Sequence, residues 1–147
     1  MKSFYTSIVF LLIILSTSAQ NQFHVFPINH LKNPGSKSGT GSLEAPWDLQ
    51  TALSPKQVKS GDIIYMYDGI YKGRYVSDLN SNGNKITVSA YKNDTVILDG
   101  NISSKQTAVL EVNGANVIFK NFEITFLGNF SRNTNDENFK SITGINH

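Results

Sequence analysis

Short apolar strands recur along this chain at near-constant spacing, and this recurrence limits the possible folds more than any single residue does. Ile64-Tyr65-Met66, Ile86 to Ala90 and Leu110-Glu111-Val112 follow one another at almost equal intervals. Val96-Ile97-Leu98 and Val117-Ile118-Phe119 form a second series with much the same interval. Side chains of a strand alternate between its two faces, so an alternating apolar run buries one face and exposes the other. Asparagine, glycine and aspartate fill the gaps, and these residues favour turns. A repeat of roughly 20–25 residues made of short strands predicts an all-β stack of coils, each covering the apolar face of the next.

Within each predicted coil the alternation assigns the core. Ile64 and Met66 face inward in the first coil, and Ile86, Val88 and Ala90 share one face of the second. Val96 and Leu98 share another face, with a turn at Asp99-Gly100. In the third coil Leu110 and Val112 face inward, then Val117 and Phe119. The phase flips at Lys120-Asn121, after which Phe122, Ile124 and Phe126 take over. A flip inside one apolar run is the mark of a corner between two strands. Residues 127–141 read as a polar side loop, and 142–146 as the opening of a fourth strand with no C-terminal cap after it. The chain is therefore expected to be the N-terminal part of a longer stack.

The first coil of such a stack exposes core side chains and unpaired backbone unless something covers it. Residues 20–58 are expected to form that cap. Phe23 to Ile28 gives a short strand, demoted to an edge by Pro27, and a Gly/Ser-rich loop follows at 33–46. Leu49, Ala52 and Leu53 then fall at helical spacing before Pro55, which predicts one or two helical turns with Trp47 and Leu53 seated over the first coil. The coils themselves occupy 59–147.

The N-terminal segment, positions 1–19, has the three-part layout of a secretory signal. Lys2 is charged, Ile8 to Leu15 is an unbroken apolar run, and Ser16-Thr17-Ser18-Ala19 supplies small residues before the expected cleavage point. Eight apolar residues fall short of the ~20 needed to span a bilayer, so the mature protein is expected to be secreted, periplasmic or on the cell surface, with no membrane partner after cleavage. No cysteine is present, which excludes disulfides and thiolate chemistry. The formal charge of +2 is too small and too evenly spread to imply nucleic acid. The sequons at Asn93, Asn101 and Asn129 would matter only in a eukaryotic host, and cysteine-free export favours a bacterium.

Ser60-Gly61-Asp62 through Gly69-Ile70-Tyr71 resembles the first-coil signature of secreted right-handed parallel β-helix proteins of the pectate-lyase-like superfamily. Ala45-Pro46-Trp47 with Leu49, Gln50, Ala52 and Leu53 looks like the cap helix that precedes it. Lys85 to Val88 with Val96 to Gly100, and Val117 to Ile124, are similar to the second and third coils of that group. The closest flavour is that of polysaccharide lyases cleaving alginate and dermatan-type chains, and the resemblance spans about residues 40–146. It implies a right-handed parallel β-helix and action on an anionic polysaccharide. The leading expectation is a lyase that cleaves by β-elimination, with Lys, Arg and a carboxylate-held Ca²⁺ on later coils. None of those motifs can be matched here, so no catalytic residue and no cofactor are assigned within this stretch. The alternatives are a non-catalytic surface, adhesion or glycan-binding module, and a glycoside hydrolase with paired carboxylates.

Among the residues present, Lys72, Arg74 and Tyr75 are the candidates for substrate binding. Rings stack on sugars and cations pair with uronate carboxylates. The Gly/Ser run at 35–42 lacks the spacing of a phosphate loop and reads as a cap loop. His24, His30 and His147 lack carboxylates at ligand spacing, and no metal is assigned to them. Glu111, Glu123 and Asp99 fall on different sides of the stack by register, which argues against a Ca²⁺ ladder. Asn80, Asn82, Asn84, Asn101, Asn113, Asn116 and Asn121 are expected at turns.

Overall fold

The computed structural model describes residues 20–102 and 108–127. The proposed signal at 1–19, nearly all of the side loop at 127–141 and the fourth strand at 142–146 lie outside the described residues. The described residues form nine short strands and one helical turn. In order they are β1 (Gln22–Val25), α1 (Leu49–Ala52), β2 (Ile63–Met66), β3 (Gly69–Lys72), β4 (Tyr75–Ser77), β5 (Ile86–Ala90), β6 (Val96–Asp99), β7 (Leu110–Val112), β8 (Val117–Lys120) and β9 (Glu123–Thr125). Among the described residues no helix is long and apolar enough to cross a membrane.

The strands sort into three parallel sheets, ordered β1-β2-β5-β8, β3-β6-β9 and β4-β7. From β2 onward, every third strand returns to the same sheet. Parallel neighbours require a crossover, and here the crossover consists of the other two sides of each circuit. Ile64, Met66, Ile86, Val88, Ala90, Val96 and Leu98 are all buried, as the alternation predicts. Removing such a side chain from water contributes about 1.5–3 kcal/mol, so a handful of them dominates the core. Val112 and Ile124 face inward by register, above Ser77 and Leu98. Both are about half exposed (47% and 50%), since they belong to the last described circuit.

The strand partners differ from the simple periodic reading. Ile63 faces Thr87, but the strand beyond β5 in that sheet is β8, with Ile86 facing Val117. Leu110–Val112 instead lies on β4, Tyr75 facing Leu110, and Val96–Asp99 lies between β3 and β9. The physical reason is corner length. Ile63 and its partner Thr87 lie much nearer in sequence than Tyr75 and Leu110 do, because the turns take up different amounts of chain.

At the N-terminal end, β1 is a full parallel rung on β2. Trp47 is 2% exposed and stacks on Phe23 with ring centroids 4.6 Å apart, and Leu53 is also buried. Asp48 caps α1 by accepting from the Thr51 amide at 2.8 Å. The outer edge of β1 is closed by the loop that leads to Trp47. His24 N donates to Gly41 O (2.8 Å), Trp47 N to His24 O (3.0 Å) and Phe26 N to Trp47 O (3.1 Å). Gly35 is required in this loop, because an added Cβ would lie 2.1 Å from the Phe26 carbonyl oxygen.

Asparagines tie one circuit to the next at the corners. Asn116 and Asn121 adopt left-handed backbone (φ 61° and 63°), and Asn121 marks the corner where the apolar phase flips. Asn116 Nδ2 donates to Gly83 O at 2.9 Å and to Ser81 O at 3.3 Å. Asn113 Nδ2 donates to Asp78 Oδ1 at 3.0 Å. The amides therefore reach backbone and carboxylate of the preceding circuit. Asn116→Ala is expected to cost about 2 kcal/mol, combining left-handed strain with lost hydrogen bonds. Asn116→Gly should recover the backbone share. Urea denaturation followed by circular dichroism measures both, and an unchanged midpoint for the alanine variant would count against this role.

Candidate functional site

Where β3 passes into β4, the chain opens a groove of about 240 Å³ lined by Phe26, Ile28, Asp48, Leu49, Gln50, Tyr71, Lys72 and Tyr75. Strand alternation positions these groups. Tyr71 points into the core, where its hydroxyl lies 2.8 Å from both Val25 O and Tyr67 O, which share its one proton, and accepts from the Tyr67 amide at 3.0 Å. Lys72, the next residue, therefore points outward and is exposed. Gly73 lets the Tyr75 ring fold back over the backbone, since an added Cβ would lie 2.8 Å from its Cζ. Burial, reinforced by the Asp48 charge, pushes the Tyr75 phenol up to about 12. It stays protonated near neutral pH and can donate a hydrogen bond but cannot act as a base.

Two of the three residues proposed from sequence thus share one groove. The third is directed elsewhere: Arg74 Nε donates to Gly100 O of the next circuit at 3.2 Å. The acidic and amide groups in the groove have structural duties. Asp48 caps α1. Gln50 pairs with the backbone of Val76, Nε2 donating to the carbonyl at 2.9 Å and Oε1 accepting from the amide at 3.0 Å. Lys72 is the exposed cation among the residues lining the groove.

The other candidates are dispersed. His24 Nδ1 lies 2.9 Å from the Tyr67 hydroxyl, and burial lowers its pKa against the opposing pull of Glu44. His30 Nδ1 accepts from the Asn33 amide at 3.1 Å and its ring meets Phe26 edge-on. His147 lies outside the described residues. Asp99 is buried and accepts from the amides of Asn101 (3.0 Å) and Leu127 (2.9 Å), whereas Glu111 is exposed on β7 and Glu123 on β9. The 35–42 segment holds Trp47, whose Nε1 donates to Gly39 O at 2.8 Å.

One feature escaped the periodic reading. Phe26, Tyr67 and Tyr91 stack in a column, with centroids 4.3 and 4.7 Å apart and interplanar angles of 7° and 25°. Lys92 Nζ lies 4.9 Å from the Tyr91 centroid. Burial, with the neighbouring Tyr91 and Asp94 charges, raises the Tyr67 phenol to about 12. Each ring stands just past the end of β1, β2 or β5, so the signal in the sequence was an aromatic at the same offset after three strands. Their faces are spent on one another, which suits packing better than ligand binding. No family model, curated protein or solved structure matches this chain.

Proposed function

We propose that this chain forms coils of a right-handed parallel β-helix of the pectate-lyase-like kind, exported by its N-terminal segment and acting on an anionic polysaccharide. The observation that carries the proposal is the groove lined by both exposed Lys72 and Tyr75. A uronate offers the matching pair of features: a carboxylate for the ammonium and a sugar face for the ring. Parallel strands returning every third position to the same sheet support the coil architecture. The resemblance of Gly61-Asp62 through Gly69-Ile70-Tyr71 supports the family.

The enzymatic form of this proposal is a lyase. β-Elimination needs a cation against the uronate carboxylate and a base for the neighbouring proton. Lys72 fits the first role, while Tyr75, held protonated, does not fit the second. The groove as described therefore supports binding, and the elimination step draws on the resemblance alone. Calorimetry with oligouronates from alginate and pectate tests the binding. Lys72→Ala is expected to weaken it about tenfold at low ionic strength and to flatten its salt dependence. Equal affinity in the variant would remove Lys72 from the site. The appearance of ultraviolet absorbance from unsaturated sugar ends would separate a lyase from a binding module.

A further inference from the structure

The three sheets are finished differently at the N-terminal end of the stack. The first is closed by backbone, since the 41–47 segment takes up the outer hydrogen bonds of β1. The β4 edge of the third is closed by Gln50, whose side-chain amide stands in for a peptide group on Val76. Asp78 N completes that edge by donating to Leu53 O at 3.1 Å. Among the described residues, the second sheet has β3 at its edge, with β6 as its one partner. Gly69 N donates to Thr95 O (3.0 Å) and Gly73 N to Asp99 O (2.9 Å), so the odd-numbered residues turn their backbone groups toward β6. In a parallel ladder the alternate residues face the other way. The N–H and C=O groups of Ile70 and Lys72 consequently point out of the sheet, with no hydrogen-bond partner among the described residues. Beside this open edge lies the groove floored by Phe26, Leu49 and Tyr71.

We propose that the open edge of β3 takes up an extended peptide segment carrying an acidic side chain, which adds a strand to the β3-β6-β9 sheet. The donors and acceptors of Ile70 and Lys72 repeat at roughly 6.6 Å, the two-residue period of a strand, and an unpaired edge is a template for another chain. Amide groups close both other edges, so amide chemistry fits this end of the stack. Lys72 supplies the charge preference: it is exposed and has no carboxylate partner among the described residues. This inference goes beyond the glycan reading and does not depend on it. Because Lys72 and Tyr75 line the same groove, peptide and glycan would exclude one another.

The probe is a labelled hexapeptide alternating threonine and valine with one central aspartate, together with the same peptide methylated on alternate backbone nitrogens. Binding to the whole protein is followed by fluorescence anisotropy and by amide chemical shifts. Saturable binding is expected, at least tenfold weaker for the methylated peptide that would place its methyl groups against β3. Ile70→Pro removes a donor from the open edge while leaving the ladder to β6 intact. It should cost the peptide at least tenfold and leave oligouronate binding at Lys72 unchanged. Lys72→Glu should reverse the preference for the acidic peptide over a lysine-containing one. Absence of saturable binding, equal affinity for the methylated peptide, or unchanged affinity in a folded Ile70→Pro variant would each overturn the inference. An oligouronate that loses affinity in Ile70→Pro while the peptide never binds would assign the edge to glycan and also overturn it.

Discussion

Trp47→Ala is expected to destabilise the fold by about 3–5 kcal/mol, the range for truncating a large buried aromatic. Trp47 is 2% exposed and lies at the junction of three elements. Its ring stacks on Phe23 at 4.6 Å, its indole N–H donates to Gly39 O at 2.8 Å, and its backbone closes the edge of β1. Losing the side chain leaves a cavity over the first circuit and frees the loop that protects that edge. Trp47→Phe keeps a ring against Phe23 but abandons the Gly39 bond, so it should cost distinctly less. Chemical denaturation must be followed by circular dichroism, because Trp47 is the only tryptophan and fluorescence disappears with it. A loss below about 1 kcal/mol would mean that the cap contributes little to holding the stack.

The second large effect is expected at Asp62, a carboxylate 2% exposed at the turn into β2. Its Oδ1 accepts from the backbone and side-chain nitrogens of Asn21 at 3.0 and 3.1 Å, and its Oδ2 from Lys59 N at 2.8 Å. One side chain thus fastens the start of β1 to the start of β2 and satisfies three donors. Asp62→Ala leaves those donors unpaired and is expected to cost about 3 kcal/mol, given that hydrogen bonds to charged groups are the strong ones. Asp62→Asn retains an acceptor oxygen but brings its own donor toward the others, so it should lie between wild type and alanine. Hydrogen exchange gives a sharper readout than global stability. The amides of β1 should lose protection in Asp62→Ala while those of β6 keep theirs. Uniform loss, or none, would contradict a local fastening role.

Gly61-Asp62 belongs to a stretch that stands out in the sequence, but the three hydrogen bonds of the buried Asp62 carboxylate were not legible there, because Asn21 lies 41 residues away. The same division runs through the molecule. Inward positions such as Ile86, Val88 and Ala90 follow from period-two alternation, a local property, and all three are buried. Which strand neighbours which depends on corner lengths, and these obey no period. Leu110–Val112 therefore looked like a repeat of the Ile64-Tyr65-Met66 strand although it pairs with β4. That strand was itself obscure, being three residues long with Gly73 and Arg74 ahead of it. In the candidate site, Lys72 and Tyr75 were legible as an aromatic beside a cation. Arg74 shares strand parity with Lys72 but is drawn to Gly100 O, 26 residues on. The open edge of β3 was invisible for a related reason: it becomes distinctive only once Gln50 is seen to close the edge beside it.

The unequal corners carry a consequence for how such a chain can change. Ten residues of sequence separate β6 from β7 and eight separate β4 from β5, whereas two separate β2 from β3. Lengthening a flexible corner costs little, about 0.6 kcal/mol for each doubling, and leaves the rungs and their buried faces in place. Insertions can therefore accumulate at the long corners and build walls along the flank, while the rungs of Ile64, Val88 and Leu98 stay as they are. The molecule separates the part that must stay constant from the part free to acquire new surface.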